Sequence, residues 1–300
     1  MEDQLPHYDS SASVDAAFAD PRLTDPNFPP SFTQFVVESG GTNIPVKMWL
    51  AGGPGPKGTV IISPPMGGWE SMNSVAIPLM YAGIHVVSYR PRGVRDPHTT
   101  YSMPRSVDDV HAIIDWIVAN SSADKTALSG PPLRLDPGRI AMFGLSGGGG
   151  NVSYAVCAES EHAHYAIAVA PGNIDIQTTP AILEKMLPMF RELKEATRGR
   201  SDYELWINAM TSAEKNRISI NHNAPKLVSK HLLLLGASHD ALSPIEVCHK
   251  PIANALRESG AKDLTDLILE TDHAFLTKRF SLARIMIEWL RSQGFSAQLS

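Results

Sequence analysis

The stretch RIAMFGLSGGGGN, residues 139–151, decides the fold. A short apolar run ends at Gly144, a serine stands at position 146, and four glycines fill positions 147–150. The run reads as a strand and the following NVSYAVCAES as a helix. Gly144 to Gly148 therefore spell G-x-S-x-G at a strand-to-helix turn. There a serine is pushed clear of the carboxyl edge of a sheet, and neighbouring backbone crowds the flanking positions. Four glycines at a helix start cost up to about 1 kcal/mol each relative to alanine, a local penalty that points to a functional constraint. Two phosphate-binding readings fail on spacing. The sixth position of any G-x-G-x-x-G falls on Val152 or Ser153, and no lysine follows to make a P-loop.

Outward from this turn, strands and helices alternate. TQFVVES, IPVKMWL, TVIISP, IHVVSYR, RIAMFG, YAIAVAP, HLLLLGA and DLILE read as strands. SMNSVAIPLMYAG, SVDDVHAIIDWIVAN, NVSYAVCAES, PIEVCHKPIANALRES and LARIMIEWLRS read as helices. In SVDDVHAIIDWIVAN, the acidic Asp108 and Asp109 are expected in the first turn, where the helix dipole favours them. The pattern predicts an α/β fold, a mostly parallel twisted sheet of about eight strands with helices on both faces. Residues 1–33 hold five prolines and no periodicity, and read as an irregular arm. Residues 34–175 and 223–300 form the core. Between them, 176–222 carry two amphipathic stretches, PAILEKMLPMFRELKEA and DYELWINAM, with no strand. This interval is too long for a plain connection and is expected to be a helical cap over one end of the sheet.

A serine hydroxyl needs a base, and the base needs an orienting acid. In a parallel sheet both come from loops at the carboxyl ends of later strands. SHDALSP follows HLLLLGA and offers Asp240; TDHAF follows DLILE and offers His273. The 33-residue step from Asp240 to His273 is close to the ~30 residues of one strand–helix–strand unit, which brings the two onto adjacent loops. Asp240 has a second reading, as the cap of a helix starting near Pro244. Asp175, after the preceding strand, is a rival acid on the same edge, and His239 a rival base whose neighbourhood to Asp240 makes the geometry awkward. His111 and His164 read as surface or packing residues.

These motifs resemble those of the α/β-hydrolase superfamily over roughly residues 34–300. LDPGRIAMFGLSGGGGN is similar to the nucleophile-elbow region of its dienelactone-hydrolase-like and prolyl-oligopeptidase-like branches, VDDVHAIIDWI to the preceding helix, and GASHDALSP and TDHAF to the acid and histidine loops. The resemblance implies an α/β-hydrolase fold with a cap, and a serine esterase, thioesterase or lactonase that works through an acyl-enzyme on Ser146, with His273 as base and Asp240 as acid. It implies an oxyanion hole after the third strand. Where the family has His-Gly, this chain has Pro64 and Pro65 in SPPMGGWE. Proline has no N–H to donate, so the donors fall on Met66 and Gly147. Arg92, in YRPRGVRDP, matches the family's Arg-Gly turn and is read as structural. In the cap, Leu183, Met186, Leu187 and Phe190 share one face, which either packs on the body or lines an apolar pocket. Trp69, Met186 and Phe190 are the candidate substrate contacts, for a mid-sized apolar substrate. An acyltransferase or cyclase using the same triad, a peptidase, and a non-hydrolytic lyase or binding protein stay open. Epoxide hydrolase and dehalogenase chemistry wants a carboxylate in place of Ser146.

No cofactor is implied, and His239, Asp240 and His249 have no recognised metal spacing. A net charge of −5 argues against a nucleic-acid partner. The expected partner is a small-molecule substrate, and a homodimer stays open. The start of the chain, MEDQLPHYDSSASVD, shows neither a basic nor an apolar region of a secretory signal. No apolar stretch approaches the roughly 18 residues of a membrane span. Two cysteines, Cys157 and Cys248, fit a reducing compartment. The expected location is cytoplasmic, and the sequons at Asn120 and Asn151 are read as incidental.

Overall fold

A computed structural model describes residues 25–66, 72–94, 101–122, 132–179 and 211–295, together with 181, 182, 184, 185 and 188. The described residues form one eight-stranded sheet: β1 (Ser31–Ser39), β2 (Thr42–Leu50), β3 (Lys57–Ser63), β4 (His85–Tyr89), β5 (Leu135–Leu145), β6 (Ala163–Val169), β7 (His231–Ala237) and β8 (Asp263–Leu269). Their order across the sheet is β1-β2-β4-β3-β5-β6-β7-β8. β1 and β2 form a hairpin, β2 runs antiparallel to β4, and the other pairs are parallel. The hairpin turns through Gly40 and Gly41, both at positive φ, as a two-residue turn matched to the strand twist requires.

The sheet separates two helical layers because side chains alternate along each strand. On β3, Ile61 faces one layer and Val60 and Ile62 the other; on β5, Met142 and Phe143 divide in the same way. The first layer contains α2 (Met103–Asn120), which buries Val107, Val110, Ile113, Ile114 and Ile117. The second contains α1 (Asn73–Tyr81) and α8 (Arg279–Ser292), whose Val75, Leu79, Leu282, Met286 and Leu290 pack on the opposite face. α3 (Val152–Glu159) and α7 (Lys250–Glu258) cover Leu232 and Leu234 of β7. Between β6 and β7 the described residues include α4 (Ile174–Gln177), α5 (Ser212–Ile218) and α6 (Ile220–Asn223).

Several boundaries differ from expectation. β1 starts at Ser31, so the strand takes in the last three residues of the expected arm, and β8 starts at Asp263 rather than Asp266. α2 starts at Met103 rather than Ser106: Ser102 accepts the Arg105 N–H as N-cap (3.3 Å), and Pro104 fits the first turn. Asp108 and Asp109 therefore lie in the second turn, beyond the reach of the dipole argument. Asp109 is buried and accepts from Ser39 Oγ (2.9 Å), Arg92 N (2.9 Å) and Arg92 Nε (2.5 Å). Burial pushes its carboxyl up, against these donors. Arg92 thus joins the β4 exit to the hairpin and α2, in keeping with its structural reading. The expected helices at 180–196 and 202–210 fall wholly or mostly outside the described residues, as do the side chains of Trp69, Met186 and Phe190.

Candidate active site

Ser146 follows the last residue of β5 with φ 64° and ψ −176°. That region is nearly exclusive to glycine and costs of order 1–3 kcal/mol for any other residue, so the surroundings must enforce it. They do so through close approach. A Cβ on Gly144 would lie 2.6 Å from Ser153 Oγ and closer still to the backbone of Gly149. One on Gly148 would lie 2.7 Å from Met66 Cα and nearer to the Met66 nitrogen. The glycine run opens with a wide π-type turn, Gly147–Asn151, before α3 begins. Gly147 is different: a Cβ there would meet nothing closer than 3.9 Å. Packing demands some of the four glycines but not this one.

His273 stands between Ser146 and Asp240. Its Nε2 lies 2.9 Å from Ser146 Oγ and its Nδ1 lies 2.7 Å from Asp240 Oδ2. The Asp240 side chain is fully buried and that of His273 mostly so. The other carboxylate oxygen, Oδ1, accepts the N–H groups of Leu242 (2.8 Å) and Ser243 (2.7 Å). Asp240 therefore faces the imidazole and closes the turn that precedes the helical segment; it does not cap that segment, whose N-cap is Pro244 with no side-chain hydrogen bond. Burial acts to raise its carboxyl, but the hydrogen bond and charge of His273 and the two backbone N–H groups outweigh it and hold the carboxyl below its usual value. An ionised Oδ2 keeps the imidazole proton on Nδ1, which leaves Nε2 free to accept from the serine hydroxyl.

The two loops keep their spacing because the β7–β8 ladder continues past the strands. Ser238 N donates to Leu269 O (2.9 Å) and His239 N to Thr271 O (3.0 Å). The His273 loop is closed by Thr271 and Thr277, whose hydroxyls lie 3.0 Å apart, and by the Leu276 N–H on Asp272 Oδ1 (3.0 Å). Phe275, at φ 55°, plugs its underside and is fully buried. The rivals are engaged elsewhere. Asp175 Oδ2 accepts from Ser219 Oγ and Asn221 Nδ2, each at 2.9 Å. His239 is exposed, 3.8 Å from Glu270. Met66 is brought to the glycine turn after β3, where the Ser63 hydroxyl lies 2.8 Å from the buried Tyr89 hydroxyl. Asn151 was legible only as a sequon; its side chain is buried and fully used inside the fold.

The family model described as X-Pro dipeptidyl-peptidase (S15 family) matches residues 15–196. The chain belongs to the S15 family. Its fold is that of the α/β-hydrolases. The match contains Ser146 and ends before Asp240 and His273. Solved structures share the fold at low identity. An acylaminoacyl peptidase from Pyrococcus horikoshii matches with a TM-score of 0.63 and 13% identity, over 96% of this chain and 44% of its own. The chain thus spans less than half of that peptidase. An esterase from Pyrobaculum calidifontis matches with a TM-score of 0.62 and 18% identity, over 90% and 88%. A dienelactone hydrolase from Anabaena variabilis matches with a TM-score of 0.54 and 14% identity, over 88% and 98%. No curated protein sequence matches the chain. Among the described residues no helix is long and apolar enough to cross a membrane, and no cluster of three metal-ligating side chains occurs.

Proposed function

We propose that this S15-family hydrolase cleaves a carboxylic ester, thioester or lactone of a mid-sized apolar substrate through an acyl-enzyme on Ser146. The observation that carries the reading is the unbroken line Ser146 Oγ, His273 Nε2, His273 Nδ1, Asp240 Oδ2. His273 Nε2 takes the hydroxyl proton as Ser146 Oγ bonds to the acyl carbon. The negative oxygen of the tetrahedral intermediate faces the N–H groups of Met66 and Gly147, two donors worth about 3 kcal/mol each in such sites. Collapse expels the alkoxide or thiolate, which receives the proton from Nε2. A water then repeats the sequence on the acyl-enzyme and releases the acid. Asp240 keeps the ring in the productive tautomer and offsets the charge it gains. The reading keeps the 176–222 insertion as the expected cap and Trp69, Met186 and Phe190 as the expected substrate contacts, three residues that lie outside the described side chains.

Matches to an esterase and a dienelactone hydrolase over most of both chains support ester over peptide chemistry. The S15 match favours a second reading, cleavage of a peptide after proline. Hydrolysis of p-nitrophenyl esters from acetate to laurate, set against Ala-Pro-p-nitroanilide, separates the two. The expected result is ester turnover peaking at mid-length acyl chains, with Ser146→Ala inactive and unlabelled by a fluorophosphonate. Turnover of the anilide alone overturns the ester reading; activity that survives Ser146→Ala overturns both.

A further inference from the structure

Asn151 lies five residues beyond Ser146, at the end of the glycine turn, and none of its surface reaches solvent. Its Oδ1 accepts the Gly172 N–H (2.9 Å), while its Nδ2 donates to Gly172 O (2.9 Å) and to Ile218 O (2.9 Å). The side-chain amide thus pairs with Gly172 as a neighbouring strand would. It also reaches the residue at which α5 ends. The segment it holds is strained. Ala170, just past β6, has φ 46°, a left-handed conformation that a non-glycine residue keeps only when its surroundings over-determine it. Pro171 packs against Gly150, where a Cβ would approach within 3.1 Å. The strained turn then delivers Gly172 to the nucleophile: a Cβ on Gly172 would lie 3.5 Å from Gly147 Cα, and one on Gly147 would lie 3.9 Å from Gly172 N.

We propose that Asn151 is a positioning residue that clamps the Ala170–Gly172 turn against Gly147 and ties the returning end of the insertion, at Ile218, to the same point. This rests on the serine-hydrolase reading, in which Gly147 supplies an oxyanion donor. Asn151 touches no reacting atom; it sets where the Gly147 peptide sits. Two further bonds carry the clamped segment to the acid loop. Asn173 Nδ2 donates to Val247 O (2.9 Å), and Gln177 Nε2 donates to Leu242 O (3.1 Å), whose own N–H holds Asp240. One rigid strip therefore runs from the serine turn to the acid.

Asn223 provides a matched control. It is equally buried, and its Nδ2, with two hydrogens to share, lies within hydrogen-bond distance of Asn216 O, Arg217 O and Ser219 O (3.1, 2.7 and 3.0 Å), all in the segment just before it. With p-nitrophenyl butyrate, Asn151→Ala is expected to lower kcat about 10²-fold, the scale of a misplacement near 1 Å, while KM changes less than about threefold. Fluorophosphonate labelling of Ser146 slows in step. Asn223→Ala is expected to lower the thermal midpoint as much and keep kcat within about threefold. Asn151→Asp keeps the shape and replaces the donor with a carboxylate facing two carbonyls. Its kcat relative to wild type is expected to rise as pH falls from 8 to 5, because a protonated carboxyl regains one donor. The proposal is overturned if kcat of Asn151→Ala stays within about threefold, if Asn223→Ala loses kcat equally, or if the Asn151→Asp ratio is flat with pH. Wild-type labelling at Ser146 tests the serine-hydrolase reading separately: an unlabelled wild type sinks that reading, whereas a labelled wild type with unaffected Asn151 variants sinks only this one.

Discussion

Asp240→Asn should disable the hydrolase through the direction of a single proton. Asp240 uses both oxygens: Oδ1 accepts two backbone N–H groups and Oδ2 accepts His273 Nδ1–H. An asparagine has one acceptor oxygen for these two tasks. If the oxygen stays on the Leu242 and Ser243 N–H groups, the amide NH2 faces Nδ1. The ring proton must then sit on Nε2, where it points at Ser146 and cannot receive the hydroxyl proton. If the amide rotates instead, two hydrogen bonds worth about 1 kcal/mol each are lost and two donors are left facing an NH2, at roughly 1–3 kcal/mol more. The productive tautomer is thus disfavoured by about 3–5 kcal/mol, a factor of roughly 10²–10⁴. Loss of the carboxylate opposite the developing imidazolium adds to this, so kcat/KM should fall ~10³–10⁴-fold, the scale known for the same exchange in serine proteases. The assay is p-nitrophenyl butyrate hydrolysis together with the rate of fluorophosphonate labelling, with the tautomer read from ¹⁵N shifts of His273. Asp175→Asn, whose carboxylate serves Ser219 and Asn221, should stay within about threefold of wild type. A loss below about tenfold in Asp240→Asn, or an Nδ1–H signal retained in that variant, would refute the reasoning.

Gly148→Ala should misplace Met66, since the added methyl would come within 2.7 Å of its Cα, and should cost at least ~10²-fold in kcat. Gly147→Ala, with nothing nearer than 3.9 Å, should leave the thermal midpoint within a few degrees; a collapse of its fold would show that packing does demand all four glycines. Arg92→Met removes the guanidinium partner of buried Asp109, and urea denaturation should show a loss of about 3–5 kcal/mol, limited by protonation of the carboxylate; a change under ~1 kcal/mol would count against the structural role of Arg92. His85 is buried, accepts the Ala51 N–H on Nδ1 (3.0 Å), and is pushed down by burial to about 3. Its unfolded-state value is near 6.5, so the unfolded chain binds the extra proton first. Its contribution is full above pH ~6.5 and is lost progressively toward pH ~3, by an amount on the order of several kcal/mol. His85→Asn, neutral throughout, should narrow its stability gap to wild type between pH 7 and pH 4; a constant gap would exclude His85 from the acid sensitivity.

Much of this architecture is readable from the chain alone, because the deciding signals are local. Strand and helix periodicities repeat within ten residues, and their alternation commits the chain to a parallel sheet whose strands end on one edge. Ser146 is legible because its strained turn and crowded neighbours force glycines around it. His273 is legible because it alone among the histidines follows the predicted last strand. What the tertiary structure decides depends on groups distant in sequence. The loop bearing Asp175 follows β6, next to β5 in the sheet, so strand order alone favours it as much as Asp240. The continued β7–β8 ladder brings Asp240 beside His273, while Asp175 is held by Ser219 and Asn221. Asp109 reads as a helix-dipole partner until Ser39 and Arg92, 70 and 17 residues away, are seen to enclose it. Asn151 reads as an incidental sequon until Gly172 and Ile218 arrive, 21 and 67 residues later, to take its amide. Periodicity determines which face of an element is apolar. Which buried polar group meets which partner is settled only when the packed layers leave each donor one acceptor within reach.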